Sequence, residues 1–357
     1  MKNNHLRHVV LLLFFVVASF ALAQTDSTSA VSLADTTVAA VDVTPEAAPE
    51  VVAATEVPAQ PAAKKAKQKY TGPMPCAAVN THNGSLVPVG TYVLINKYFN
   101  VSKDELLSGS DVIDFASPGV KRFAYQEVQN AFRTGIIKHV DVRLITSYFI
   151  KSMDRLKPNG DVFSDENSGF GDFKLIGRYG IMNQKTGPAN IIVGIGTTIP
   201  VGTTDAVDVN GNVLPGSMQL SSGSFNPIFE LGAHQIKKRN WNNVYFVYVM
   251  ATDGELGPHV FKRSSVFKYN YTYAYAAHMK LDVGFELNGE VKTKAVKNGV
   301  DIENTGGHVI YVAPEAHIKF SKKIHLGVCM PIAVYQDLNG PQLGGGSMII
   351  TKFDIKF

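Results

Sequence analysis

Cysteine is scarce, with two residues in 357. Neither stands at a metal-ligand spacing, and two are too few for a disulfide framework, although a bridge between Cys76 and Cys329 stays open. A single tryptophan and a formal net charge of +4 provide no footprint of nucleic-acid binding, so no such partner is expected. No Gly-x-Ser-x-Gly, His-Glu-x-x-His or phosphate-binding loop occurs, and with them go a nucleophile elbow, a zinc hydrolase and a nucleotide site. Ser108-Gly109-Ser110 lacks the strand–turn–helix setting of a nucleophile. Asp208-Val209-Asn210-Gly211-Asn212 has a misplaced glycine for a calcium loop and no bidentate Glu at the needed spacing. No cofactor or metal is implied. Beyond residue 22 no apolar run is long enough for a helical span, so membrane residence has to come through strands.

The first residues read as a secretory signal peptide over 1–23. Lys2, Arg7 and His8 form a positive start, Val9–Leu22 is apolar, and Ala21-Leu22-Ala23 precedes Gln24 in a small-x-small pattern. No Cys follows, which disfavours a lipoprotein. Residues 24–87 read as a disordered periplasmic tether. Up to about residue 69 they are Ala, Val, Thr, Pro and Glu, ending in Lys64, Lys65, Lys67 and Lys69. Such a composition buries too little apolar surface to offset its ordering entropy.

From residue 88 to 357 the dominant period is two. In Phe267-Lys268-Tyr269-Asn270-Tyr271-Thr272-Tyr273-Ala274-Tyr275 the odd positions are all aromatic, and only a strand puts them on one face. Met279, Leu281, Val283, Phe285 and Leu287 alternate with Lys280, Asp282, Gly284, Glu286 and Asn288 in the same way. Strands are expected near 89–99, 124–137, 140–152, 169–182, 189–200, 224–237, 242–252, 264–277, 279–292, 306–320, 324–336 and 346–357. A soluble two-sheet sandwich also alternates, but the connections separate the two. Lys138-His139, Asn183–Pro188, Lys238–Trp241, His278 and Ser321–Lys323 are short, and each is followed by a long polar loop. Strict alternation of tight turns and long loops belongs to transmembrane barrels with turns in the periplasm. The fold class is therefore all-β: an antiparallel up-and-down transmembrane barrel of about 12 strands behind a disordered N-terminal extension. Both of its ends face the periplasm of a bacterial outer membrane. Outer-membrane lipid is one partner, and Phe357, closing an alternating strand, resembles the signal read by the barrel-assembly machinery, a second.

Four segments carry a resemblance to a known family. Gly169-Phe170-Gly171-Asp172-Phe173-Lys174-Leu175 resembles its glycine-rich strand opening, and Gly194–Thr203 is similar to its Pro-x-Gly strand end before a long loop. Leu281–Glu290 resembles its Glu-Leu-Asn-Gly-Glu strand, and Val312–Glu315 through Met330-Pro331-Ile332 resembles its penultimate hairpin. In this order they resemble the meta-pathway phenol-degradation outer-membrane β-barrel "transporter" family. The resemblance implies a barrel that passes small, often hydrophobic or aromatic, compounds; it brings no agreed catalytic or binding residues.

Alternation turns Asp141, Arg143, Asp172, Lys174, Arg178, Glu230, His234, Lys268, Asp282, Glu286, Glu315, His317 and Lys319 to the lumen, with Lys280, His325, Lys352 and Asp354 on the same face. Mixed signs predict pairs between neighbouring strands that fill and stiffen a narrow barrel; a solute-selecting polar wall is the functional counterpart. Unclustered histidines such as His234, His317 and His325 are more often members of a wet wall than metal ligands. The function expected is a non-enzymatic channel for passive passage of an unidentified small-molecule solute, its outer mouth narrowed by long loops. The alternatives are a structural or adhesion protein with a wall-facing tether and an outer-membrane hydrolase, for which no Ser–His pair stands out.

Overall fold

The computed structural model describes residues 70–82, 84–115, 119–321 and 324–356. The signal peptide expected over 1–23, the tether up to residue 69 and Phe357 lie outside them. The described chain contains strands and no helix, and twelve strand positions close into one antiparallel ring.

Going round, the wall is Tyr92–Lys103, Gly119–Ile137, Val140–Leu156, Phe173–Met182, Asn190–Ile199, Pro227–Lys237, Asn240–Val249, Val266–His278, Leu281–Lys292, Gly307–Lys319, Ile324–Cys329 and Ser347–Lys356. Each pairs with its sequence neighbour in the wall. The ring closes where Tyr92–Lys103 pairs with Ser347–Lys356, from Val93↔Lys356 to Ser102↔Ser347. After Met330 and Pro331 the eleventh position resumes as Ile332–Gly344. There it leaves Ser347–Lys356 and pairs with Glu105–Gly109 instead; proline supplies no ladder donor at the switch.

The period-two pattern decides which face looks where. Ile195, Tyr179, Leu231, Phe285 and Val283 are exposed on the outside. Their inward neighbours Arg178, Glu230, Asp282 and Glu286 are buried, Glu286 at 0% exposure against 65% for Ile195. In water this would be inside out; against hydrocarbon it is the stable arrangement. The tyrosine ladder of Val266–His278 faces outward, and the Tyr269 ring lies so close to Gly289 that a Cβ there would sit 1.9 Å from the ring. An arginine for the outward Phe285 is expected to cost about 2–4 kcal/mol near the bilayer midplane. Urea unfolding in vesicles would read this as a lowered midpoint, and an unchanged midpoint would place Phe285 away from lipid.

One end of the barrel has tight hairpins. Lys138–His139 and Lys238–Arg239 turn with positive φ at His139 (67°) and Lys238 (57°). The other end has long, folded loops. Asp253–Leu256, His259–Lys262, Ala295–Lys297 and Val300–Ile302 form a second four-stranded sheet, with Leu256, Phe261 and Ala295 in its small core.

Candidate functional site

The lumen is built in layers. Nearest the turns on one side, Asp141 receives Arg178 at both Nε (2.7 Å) and Nη2 (2.5 Å), and Arg133 Nη2 at 3.1 Å. One step further in, Arg143 pairs with Glu230, both side chains almost wholly buried. Above them Ala131, Ile145, Ile176 and Ile228 form an apolar layer, with Val247 packed against it. The wall on this side is thus not uniformly polar. Toward the loops, Lys268 bonds Glu290 at 2.6 Å and its side chain is 59% exposed although it faces inward, so the upper lumen is open to water. Lys174 also faces the lumen, next to the apolar layer on the strand of Ile176.

The turn-side half is occupied by the chain itself. Residues 70–82 lead from the turn end of the barrel to the depth of Glu286, and residues 84–91 lead back to the first wall strand. The tether expected over 24–87 therefore does not extend to residue 87: its described part, from Tyr70 on, is a lumen strap. Five strap amides donate to wall carboxylates. Cys76 N bonds Asp282 at 2.7 Å, Val79 N bonds Glu315 at 3.0 Å, and Val87 N bonds Asp141 at 2.8 Å. Asn80 N and Thr81 N share Glu286 at 2.7 and 3.2 Å. Strap carbonyls take the cations. Lys319 reaches Met74 O, Lys352 reaches Ala77 O, Lys97 reaches Asn80 O, and both Arg133 and Arg178 reach Ser85 O. A backbone offers donor and acceptor at every residue, so a wall of mixed charge satisfies it without any particular side-chain sequence.

The pairing between strands expected of these residues is correct in part. Lys319–Asp282 (2.5 Å) and Arg178–Asp141 (2.5 Å) are pairs of this kind, whereas Lys352–Asp354 (2.8 Å) lies within one strand, and Asp282 and Lys319 also hold the strap. Asp172 is displaced from the wall. It stands in the joint before Phe173, and its Oδ2 takes the amide (2.9 Å) and hydroxyl (2.7 Å) of Ser222, pinning the loop 200–226. The same loop is held by Lys151, which donates to Ser217 O (2.9 Å) and Gln219 O (2.7 Å), and by Arg263, which donates to Ser221 O. Both mouths thus use one device: inward cations and carboxylates grip the backbone of an inserted segment.

The histidines have separate neighbours. His234 meets Asn190 (2.9 Å), His317 lies 3.6 Å from Glu315, and His325 lies 3.5 Å from the Cys76 thiol. Among the described residues no three His, Cys, Asp or Glu side chains gather as a metal site. Cys76 and Cys329 are both buried and free. In the loop 208–212, Asp208 Oδ1 takes the amides of Asn210 (2.8 Å) and Asn212 (2.9 Å); the bond from Asn212 leads in holding its carboxyl below the usual carboxylate range. That carboxylate is spent on its own turn. Arg133, Lys97, Lys151 and Asn243 are lumen groups that the pattern of charges did not single out.

Around the strap, at the turn end, lies a cavity of about 1260 Å³ lined by Ile95, Ile192, Ile236 and Trp241 among apolar groups and by several lysines.

A family model described as "Putative MetA-pathway of phenol degradation" matches residues 89–334. No curated protein matches by sequence. Among solved structures, the chain is similar to the COG4313 outer membrane channel from Pseudomonas putida F1, with 11% identity and a TM-score of 0.60 over 78% of this chain and 100% of that one. The Pseudomonas putida toluene transporter TodX overlays at a TM-score of 0.38 and 8% identity, over 76% of this chain and 90% of that one. The first overlay shows the shared fold; the second is too distant to bear on it.

Proposed function

Since the chain belongs to the MetA-pathway phenol-degradation family, matched over residues 89–334, we propose that it is an outer-membrane channel for passive passage of small molecules, with residues 70–82 and 84–91 as its turn-side closure. The observation that carries this reading is a closed ring, apolar outside, whose turn-side interior is occupied by a segment of the chain held through its backbone. The strap–wall contacts are mostly single hydrogen bonds to ionised groups, each worth about 1.5–3 kcal/mol. All of them exchange for water when the strap withdraws into the periplasm. The structurally similar Pseudomonas putida protein is itself an outer membrane channel. In this reading the turns and both chain ends lie on the periplasmic side and the folded loops outside. No catalytic step is assigned.

The tightly filled middle layer favours a rival, a purely structural barrel. Liposome swelling separates the two. Vesicles carrying the purified, heat-modifiable barrel are expected to swell in small neutral solutes, with rates falling as solute size rises. Exclusion of every solute, by the intact barrel and by a strap-replaced variant alike, would leave the structural reading.

A further inference from the structure

The turn-end cavity differs from the rest of the lumen in the balance of its charges. Seven lysine or arginine side chains line it against one carboxylate, Asp354. Three of these cations are compensated: Arg133 by Asp141, Lys319 by Asp282 and Lys352 by Asp354. Lys138, Lys185 and Lys280, at its mouth, have no carboxylate within ion-pair distance among the described residues. The turns around this mouth add Lys237, Lys238 and Arg239, and no Asp or Glu stands in any turn at this end. A low-dielectric opening ringed by one sign of charge concentrates ions of the other sign.

Inside, two buried donors stand without partners. Asn190 Oδ1 accepts the amide of Gln184 at 3.0 Å, which directs its Nδ2 to His234 Nε2 at 2.9 Å. Nε2 is therefore the acceptor and the ring proton sits on Nδ1, where no hydrogen-bond partner is present among the described residues. Arg133 Nε is likewise unpartnered. His234 and Arg133 are each 6% exposed, and both line the cavity. Unmet buried donors are costly, so each is a place for an acceptor to dock. Beside them stand Ile95, Ile192, Ile236 and Trp241, a largely apolar stretch of the lining.

We infer that this cavity is a binding site for an amphipathic organic anion, a carboxylate carried on an apolar or aromatic body. The carboxylate faces Arg133 and His234, and the apolar part lies against the isoleucines and Trp241. The inference rests on the channel reading for its physiological sense, but the binding itself does not depend on passage.

Trp241 is the only tryptophan in the chain, so indole emission, excited at the red edge where the tyrosines do not absorb, reports this wall alone. The full barrel in detergent is titrated with benzoate, benzyl alcohol and benzylamine, probes of one shape and three charges. Benzoate is expected to change the emission saturably and to bind about tenfold more tightly than either of the others, with the preference shrinking as salt is added. The pair Lys185→Glu and Lys280→Glu, on exposed turns, is expected to weaken benzoate several-fold and leave benzyl alcohol unchanged. His234→Phe keeps the ring and removes the donor, and is expected to do the same. Equilibrium dialysis with labelled benzoate repeats the measurement without the indole. Equal binding of the three probes, or no saturable benzoate retention by either method, overturns the proposal. Benzoate flux into liposomes is scored separately. Binding without flux removes the channel and keeps the site; flux without binding removes the site and keeps the channel.

Discussion

Replacing residues 74–86 by a glycine–serine linker of equal length raises the conductance of the reconstituted barrel several-fold, and locking the strap in place abolishes opening. The lock is a disulfide between Cys introduced as Val79→Cys and the native Cys329, in a Cys76→Ser background. Val79 and Cys329 share one buried cluster with Ala313 and Ile350, so the two side chains are buried in the same pocket of the wall. Thiol counting verifies the bond, and reductant restores the unlocked conductance. The physical basis is that the strap meets the wall through its own amides and carbonyls, which are equally well satisfied by water. Withdrawal strands no charge in a dry interior, because the vacated lumen fills with solvent. Equal conductance of the linker variant, the oxidised lock and the wild type would remove the strap as a closure.

Asp141→Asn, which keeps shape and drops charge, is expected to destabilise the barrel by about 3–5 kcal/mol, the range for breaking a buried ion pair. Asp141 is the single anion between Arg133 and Arg178 and also holds Val87 of the strap. All three ionic side chains are at most 7% exposed. The contrast is Glu290→Gln in the upper lumen, whose partners Lys268 and Lys292 are 59% and 42% exposed. Water and salt screen that cluster, and its loss is expected to cost less than about 1 kcal/mol. Urea midpoints of the two variants in vesicles test the difference. Similar losses would mean that the strap side is as wet as the loop side and that the two arginines do not depend on Asp141.

Much of the wall is legible in the sequence because lipid and lumen impose opposite chemistry on successive residues. Tyr269–Tyr275 and Leu281–Leu287 state their register outright. The strand Gly119–Ile137 is less plain: Gln126, Asn130 and Thr134 stand on its outer face opposite Glu127, Gln129 and Arg133, so both faces are polar and Arg133 does not stand out. The inward Ile145, Ile176 and Ile228 break the expected polar interior, since a half-barrel above a dense ion cluster gains more from packing apolar groups than from further desolvating charge. The strap was hidden for a different reason. Met74–Val87 has no period of its own and too little apolar surface to order itself; its conformation is imposed by carboxylates and cations that lie up to hundreds of residues away in the chain. Only Cys76 and Gly84 mark it off from the Ala-, Val- and Thr-rich stretch up to residue 69, which contains neither residue type.

The strap comes in past Met74 beside Lys319 and goes out past Val87 beside Asp141, both at the hairpin rim, with Asn80 and Thr81 at its apex. It is a loop dipped into a cup, and nothing is passed through a hole. That topology lets the twelve strands close around an empty bore without the segment, which can then dock from the hairpin end.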